Sequence, residues 1–151
     1  MSEWTLWTGV RLSHLMFDEA RLVFNSEYGY GSTIVDPTWE EVQTILGLIN
    51  GEELNEVALS HPSYGTLMVG GGNEGKYIIV YFPLEEKPSS SLTLVNLKTE
   101  SIKGFINLRV QIPSDYPAKY GVTLEAVVDV CQVFFSTGSI PQDAKFKWEE
   151  E

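Results

Sequence analysis

The chain has 151 residues, one cysteine and a formal net charge of −11, with 43% of its residues hydrophobic. That length and apolar content fit one folded domain, 1–151, with its own core, and argue against a disordered chain. No run approaches the roughly 18–20 apolar residues that span a bilayer, and one thiol cannot build a disulfide framework. The N-terminus lacks a basic leader followed by an uninterrupted apolar segment, so a cytoplasmic protein is expected.

The acidity is uneven. Residues 1–86 carry 13 acids and 3 bases, against 8 and 7 in residues 87–151. Such a field repels nucleic acid and anionic membranes and attracts a basic partner. Acidity also keeps proteins soluble, so by itself it identifies no partner.

In chain order, residues 1–30 mix Trp4, Leu6, Trp7, Val10 and Leu12 with polar positions and predict one or two strands, followed by a turn-rich "NSEYGYGS" at 25–32. A helix is predicted over 36–51, with Asp36 as N-cap, Pro37 in the first turn, and Glu40 and Glu41 facing the positive end of the helix dipole. Trp39, Val42, Ile45, Leu46 and Ile49 form its apolar stripe, and Asn50-Gly51 ends it.

Strands are then predicted at "LNEVALS" (54–60), "TLMVG" (66–70), "KYIIVYF" (76–82), "SLTLVNL" (91–97) and "INLRVQI" (106–112). "KYIIVYF" is apolar on both faces, which suits a central strand covered on both sides. In "INLRVQI", Ile106, Leu108, Val110 and Ile112 alternate with polar residues, the pattern of a half-buried strand. The linker "EEKPSSS" (85–91) reads as a loop.

A second helix is predicted over about 123–137, capped by Thr123 and stopped by Gly138, with Leu124, Val127, Val128, Cys131, Phe134 and Phe135 as its apolar face. "KFKWEE" (145–150) reads as a last strand. The expected fold is α+β: an antiparallel or mixed sheet with two helices packed on it. Trp39, Phe134, Phe135 and Trp148 read as core. Trp4, Trp7, Tyr28 and Tyr30 stay open between core and interface anchors.

"VGGGNEGKYIIVYF" (69–82) contains the G-x-x-x-x-G-K spacing of a phosphate-binding loop. That chemistry needs Ser or Thr after the lysine and a helix whose amides point at phosphate. Here Tyr77 follows Lys76 and a strand follows that, while Glu74 sets a carboxylate where phosphate would lie. The stretch reads as a hairpin turn, with Gly70, Gly71, Gly72 and Gly75 supplying positive φ angles.

Catalytic and metal chemistry find little footing. His14 and His61 are the only histidines, neither spaced from a second ligand as a metal site requires. "SHPS" (60–63) sets Ser60 and Ser63 beside His61, but sequence neighbours rarely adopt triad geometry. Cys131 lies on the apolar stripe and reads as a small core residue. The adjacent pairs Glu40-Glu41, Glu52-Glu53 and Glu85-Glu86 point apart and make poor acid/base partners. No catalytic residue, metal ligand or cofactor is expected, and a small-ligand domain would need a concave site that no residue pattern announces.

From about Asp36 to Glu150 the chain resembles the bacterial polymorphic-toxin immunity proteins of the first numbered immunity family. Four stretches carry the likeness in order: "DPTWEEVQTILGLING", "NEVALSHPSYGTLMVGGGNEGKYIIVYF", "YPAKYGVTLEAVVDVCQVFFSTGSIP" and "KFKWEE". They cover about three-quarters of the chain. Residues 1–35 lie outside it as an N-terminal extension. A glycine-glycine-glutamine element expected before Tyr116 is replaced by "IPSDYPA".

The resemblance implies a non-enzymatic protein that binds one cognate toxin in the cytoplasm and blocks it. Toxins of such systems are often nucleases or nucleobase deaminases, whose clefts are basic. Glu52, Glu53, Glu56, Glu74, Glu85 and Glu86 are the candidate partner-binding residues, each otherwise an ordinary surface charge. A monomer is expected, with neither nucleic acid nor membrane as a direct partner. The alternative is an acidic nucleic-acid mimic that inhibits several DNA-binding proteins.

Overall fold

The computed structural model describes residues 3–9, 31–84 and 91–150, and the backbone of 22–25. Its main sheet has eight strands: β1 (Thr5–Thr8), β2 (Leu22–Asn25), β3 (Gly31–Val35), β4 (Glu56–His61), β5 (Gly65–Gly71), β6 (Tyr77–Phe82), β7 (Leu92–Val95) and β10 (Lys147–Glu150). The spatial order is β10-β7-β6-β5-β4-β1-β3-β2, and every pairing is antiparallel. Two further strands, β8 (Phe105–Val110) and β9 (Ile112–Pro117), form a separate antiparallel ribbon. The helices are α1 (Trp39–Leu48) and α2 (Leu124–Thr137). The fold is α+β, as expected.

β1 lies between β3 and β4, with Leu6 opposite both Ile34 and Leu59. The segment outside the family resemblance thus contributes strands to the main sheet. β3 falls on a stretch read as turn followed by unassigned residues. Its glycine is required by packing: a Cβ on Gly31 would lie 2.2 Å from Nε1 of Trp7.

α1 starts two residues later than expected. Thr38 is the N-cap; its hydroxyl accepts from Glu41 N (3.2 Å) while the Glu41 carboxylate accepts from Thr38 N (2.9 Å). This reciprocal box satisfies two amides at once. Asp36 is left-handed (φ 56), unlike an N-cap, and its amide donates to Trp4 O (3.0 Å), so it ties the helix entry to β1. α2 matches its expected bounds, with Thr123 accepting from Ala126 N and left-handed Gly138 closing it. Its buried face is Val127, Val130, Cys131 and Phe134; Val130 takes the core position read for Val128.

Both helices cover one face of the sheet. Leu6, Ile34, Leu59, Leu67, Ile79 and Leu94 meet Ile45, Leu46, Val127 and Phe134 there, all essentially inaccessible. Trp4 belongs to this core, with its ring centroid 5.2 Å from that of Phe134. Trp39, Phe135 and Trp148 pack against it half-buried; Trp7 is half-buried on β1. Tyr28 and Tyr30 lie outside the described residues.

β6 is covered on both sides. Tyr77 and Ile79 join the helix-side core, while Ile78 and Val80 form a second cluster with Leu108 beneath the β8–β9 ribbon. No strand was expected over 113–117, where most of β9 lies, and Ile112 is a correction: it lies beyond the bend at Gln111 (φ 68) and is 67% exposed, so it does not continue the buried alternation. Pro113 and Pro117 are tolerated because a two-stranded ribbon leaves edge positions without a ladder partner.

Candidate partner-binding end

Three connections meet at one end of the sheet: the α1–β4 loop, the β5–β6 turn and the tip of the β8–β9 ribbon. In the first, Asn50 Oδ1 accepts from the amides of Glu52 and Glu53 (2.9 Å each) and Leu54 (3.3 Å). A side-chain carbonyl thereby replaces backbone partners in a tight reversal and leaves both glutamates outward and exposed.

In the second, Gly71 and Gly72 both adopt φ 93, and Gly72 N donates to Lys76 O (2.8 Å). A 3-10 turn over Asn73–Gly75 follows, and exposed Glu74 at its apex is itself left-handed (φ 54). Lys76 is extended and leads into β6, so no helix amides face the glycines. Gly70 has no positive φ, a correction to its expected role: a Cβ there would lie 2.6 Å from Cγ2 of Val110, so it serves close approach of the ribbon.

The third connection locks onto the other two. Asn73 Oδ1 accepts from Arg109 N (2.9 Å) and Asn55 Oδ1 from Gln111 N (3.1 Å). Gln111 Nε2 donates to the Glu56 carboxylate (2.9 Å), while Gly71 N donates to Asn55 O (3.1 Å). A Cβ on Gly51 would fall 2.3 Å from the Asn73 side chain, so the first two loops touch directly. Beneath them the Tyr77 hydroxyl donates to Ile49 O (3.3 Å), and burial raises its pKa.

This end gathers four of the six candidate acids. Glu52, Glu53 and Glu74 are exposed, and Glu56 is half-buried through its hold on Gln111. Lys76 and Arg109 are the cations on the same three connections. Glu85 and Glu86 lie outside the described residues. Asn55, Asn73 and Gln111, which hold the loops together, were not singled out in the sequence. Their turn-forming side chains mark turns, but nothing in the sequence marks contacts across 36 and 56 residues.

The residues weighed for chemistry have structural partners. His61 stacks on Tyr64 (4.4 Å between centroids) and meets Trp4 edge-on, and its Nδ1 accepts from Ser63 N (3.0 Å). Ser60 shares a 2.9 Å hydrogen bond with the Thr66 hydroxyl, not with His61. Cys131 is fully buried, which pushes its thiol up to about 12 and holds it as an unreactive thiol at neutral pH. His14 lies outside the described residues. Among the described residues no three His, Cys, Asp or Glu side chains group as a metal site. Nor is any helix among them long and apolar enough to cross a membrane.

A concave feature does exist elsewhere: a cleft of about 430 Å³ between the N-terminal half of α2 and the neighbouring ends of β7 and β10. Comparison with protein-family models and with curated proteins found no match to this chain. The likeness to the immunity family therefore rests on the sequence stretches that carry it.

Proposed function

We propose that the protein is a cytoplasmic immunity protein that binds one cognate toxin, a nuclease or nucleobase deaminase, and occludes its basic cleft without catalysis of its own. The observation that carries this reading is the gathering of Glu52, Glu53, Glu56 and Glu74 on three mutually bonded loops. Carboxylates on a preorganised surface lose little side-chain and loop entropy on docking, and opposite charge speeds encounter. The motif order from Asp36 to Glu150 supports the family, and the net charge of −11 supports a basic partner.

The test is a pull-down of the tagged protein from its native host, with partners identified by mass spectrometry. One stoichiometric companion is expected, toxic when expressed alone and harmless when co-expressed with this chain. Recovery of many DNA-binding proteins, lost together at modest salt, would transfer the assignment to an acidic nucleic-acid mimic. Recovery of one companion whose toxicity the chain leaves untouched would remove the immunity function.

A further inference from the structure

The cleft beside α2 has an apolar floor of Leu94, Val122, Ala126 and Phe146. Its two walls carry opposite charge. Glu125 and Asp129 stand four residues apart on α2, on one helix face, and both line the cleft. Lys98 and Lys145 line it as well, from the other side. Lys98 follows the end of β7 and Lys145 precedes β10, the strand paired with it, so both lysines come from connections at the β7–β10 edge while both acids come from α2.

Two other lysines of this half of the chain are engaged. Lys119 pairs with Glu149 at 2.8 Å, and Lys147 contacts Glu100. Among the described residues the side chains of Lys98, Lys145, Glu125 and Asp129 make no ion pair. The basic wall and the acidic wall thus face one apolar floor without closing on each other.

We infer that this groove binds a small zwitterion with an apolar body, of the class of an apolar amino acid or dipeptide. The ligand's carboxylate meets Lys98 and Lys145, its ammonium meets Glu125 and Asp129, and its side chains cover the floor. The volume falls within the range of small-molecule sites, about 300–1,000 Å³. All four charged groups are open to water, which screens them and limits affinity to about 0.1–1 mM. None of the acids on the three connections lines the groove, so it stands or falls independently of the toxin-binding reading.

The experiment is an amide chemical-shift titration of the whole chain with the dipeptide Leu-Leu. Saturable shifts are expected at Val95, Ala126 and Lys145. N-acetyl-Leu-Leu and Leu-Leu amide, each retaining one charge, should bind about fivefold more weakly. Asp129→Asn and Lys145→Gln should each weaken the dipeptide about threefold, with circular dichroism melts unchanged. Absence of saturable shifts up to about 10 mM overturns the inference. Equal binding of the dipeptide and both singly charged compounds overturns it too, because the two charged walls would then contribute nothing.

Discussion

At Gly70 an added Cβ would sit 2.6 Å from Cγ2 and 2.9 Å from Cγ1 of Val110, a β-branched side chain with little rotamer freedom. The position is closed by a neighbour 40 residues along the chain, while its own backbone is ordinary. Gly70→Ala should therefore lower stability by about 1–3 kcal/mol through overpacking. Val110→Ala alone should cost about 1–2 kcal/mol of lost burial. Together they should cost less than the sum of the two, since removing the valine methyls opens the space that the alanine needs. Urea midpoints for the wild type, both single variants and the double variant measure this. Strict additivity would mean that the ribbon moves aside freely and that its docking at Gly70 is loose.

At the scale of elements, the helices were the most legible parts, because their signals are local. Thr123 and Gly138 bracket α2 in the sequence and in space. The start of α1 was misplaced because Asp36-Pro37 resembles an N-terminus, while the reciprocal Thr38–Glu41 bonds satisfy the helix better. β9 was hidden by its prolines, and its pairing needs Gln111 in a left-handed bend that the residue type does not announce. The four acids could be chosen from the sequence for their charge, but their meeting depends on Asn55 and Asn73 accepting from a distant ribbon.

The edge strand β10 shows how a short element is held by charge. Glu149 accepts from Lys119 (2.8 Å) and from the Tyr120 hydroxyl (3.0 Å), and these bonds lower its pKa while raising that of Lys119. A carboxylate with a depressed folded pKa stabilises the fold fully above its unfolded value, near about 4.3, and loses that contribution as pH falls through the folded value. The lysine, with its folded pKa raised, contributes fully below its unfolded value and loses the contribution only in strong alkali. Both are present at neutral pH. Glu149→Gln should destabilise the protein at pH 7 and reduce the further loss between about pH 5 and 3. Thermal melts across that range check it; parallel acid limbs in the two proteins would show that Glu149 carries none of the pH dependence.

For the whole molecule, the question is whether partner encounter is steered by the total charge or by one end of the sheet. A net charge of −11 produces a long-range field whatever the arrangement of the acids. Glu56 is a poor probe of that distinction, because its carboxylate holds Gln111 and its reversal would disturb the ribbon tip. Glu52, Glu53 and Glu74 are exposed, and among the described residues their carboxylates hold no hydrogen bond that reversal would break. Their triple replacement by lysine moves the net charge from −11 to −5, each reversal adding two units. So does reversal of Glu125, Asp129 and Glu150, exposed residues outside the three meeting loops. If the bonded loops face the partner, the first variant should associate about tenfold or more slowly at low salt, with a flatter salt dependence. The second should slow association by about threefold at most, since those charges sit on α2 and β10, outside the bonded loops, and act only through the net field, which salt screens. Stopped-flow association with the captured partner, run across ionic strength, separates the two. Equal slowing would assign recognition to the net charge, a property shared with any acidic protein. Slowing by the first variant alone would assign it to the end where Asn50, Asn55 and Asn73 fix three loops into one surface.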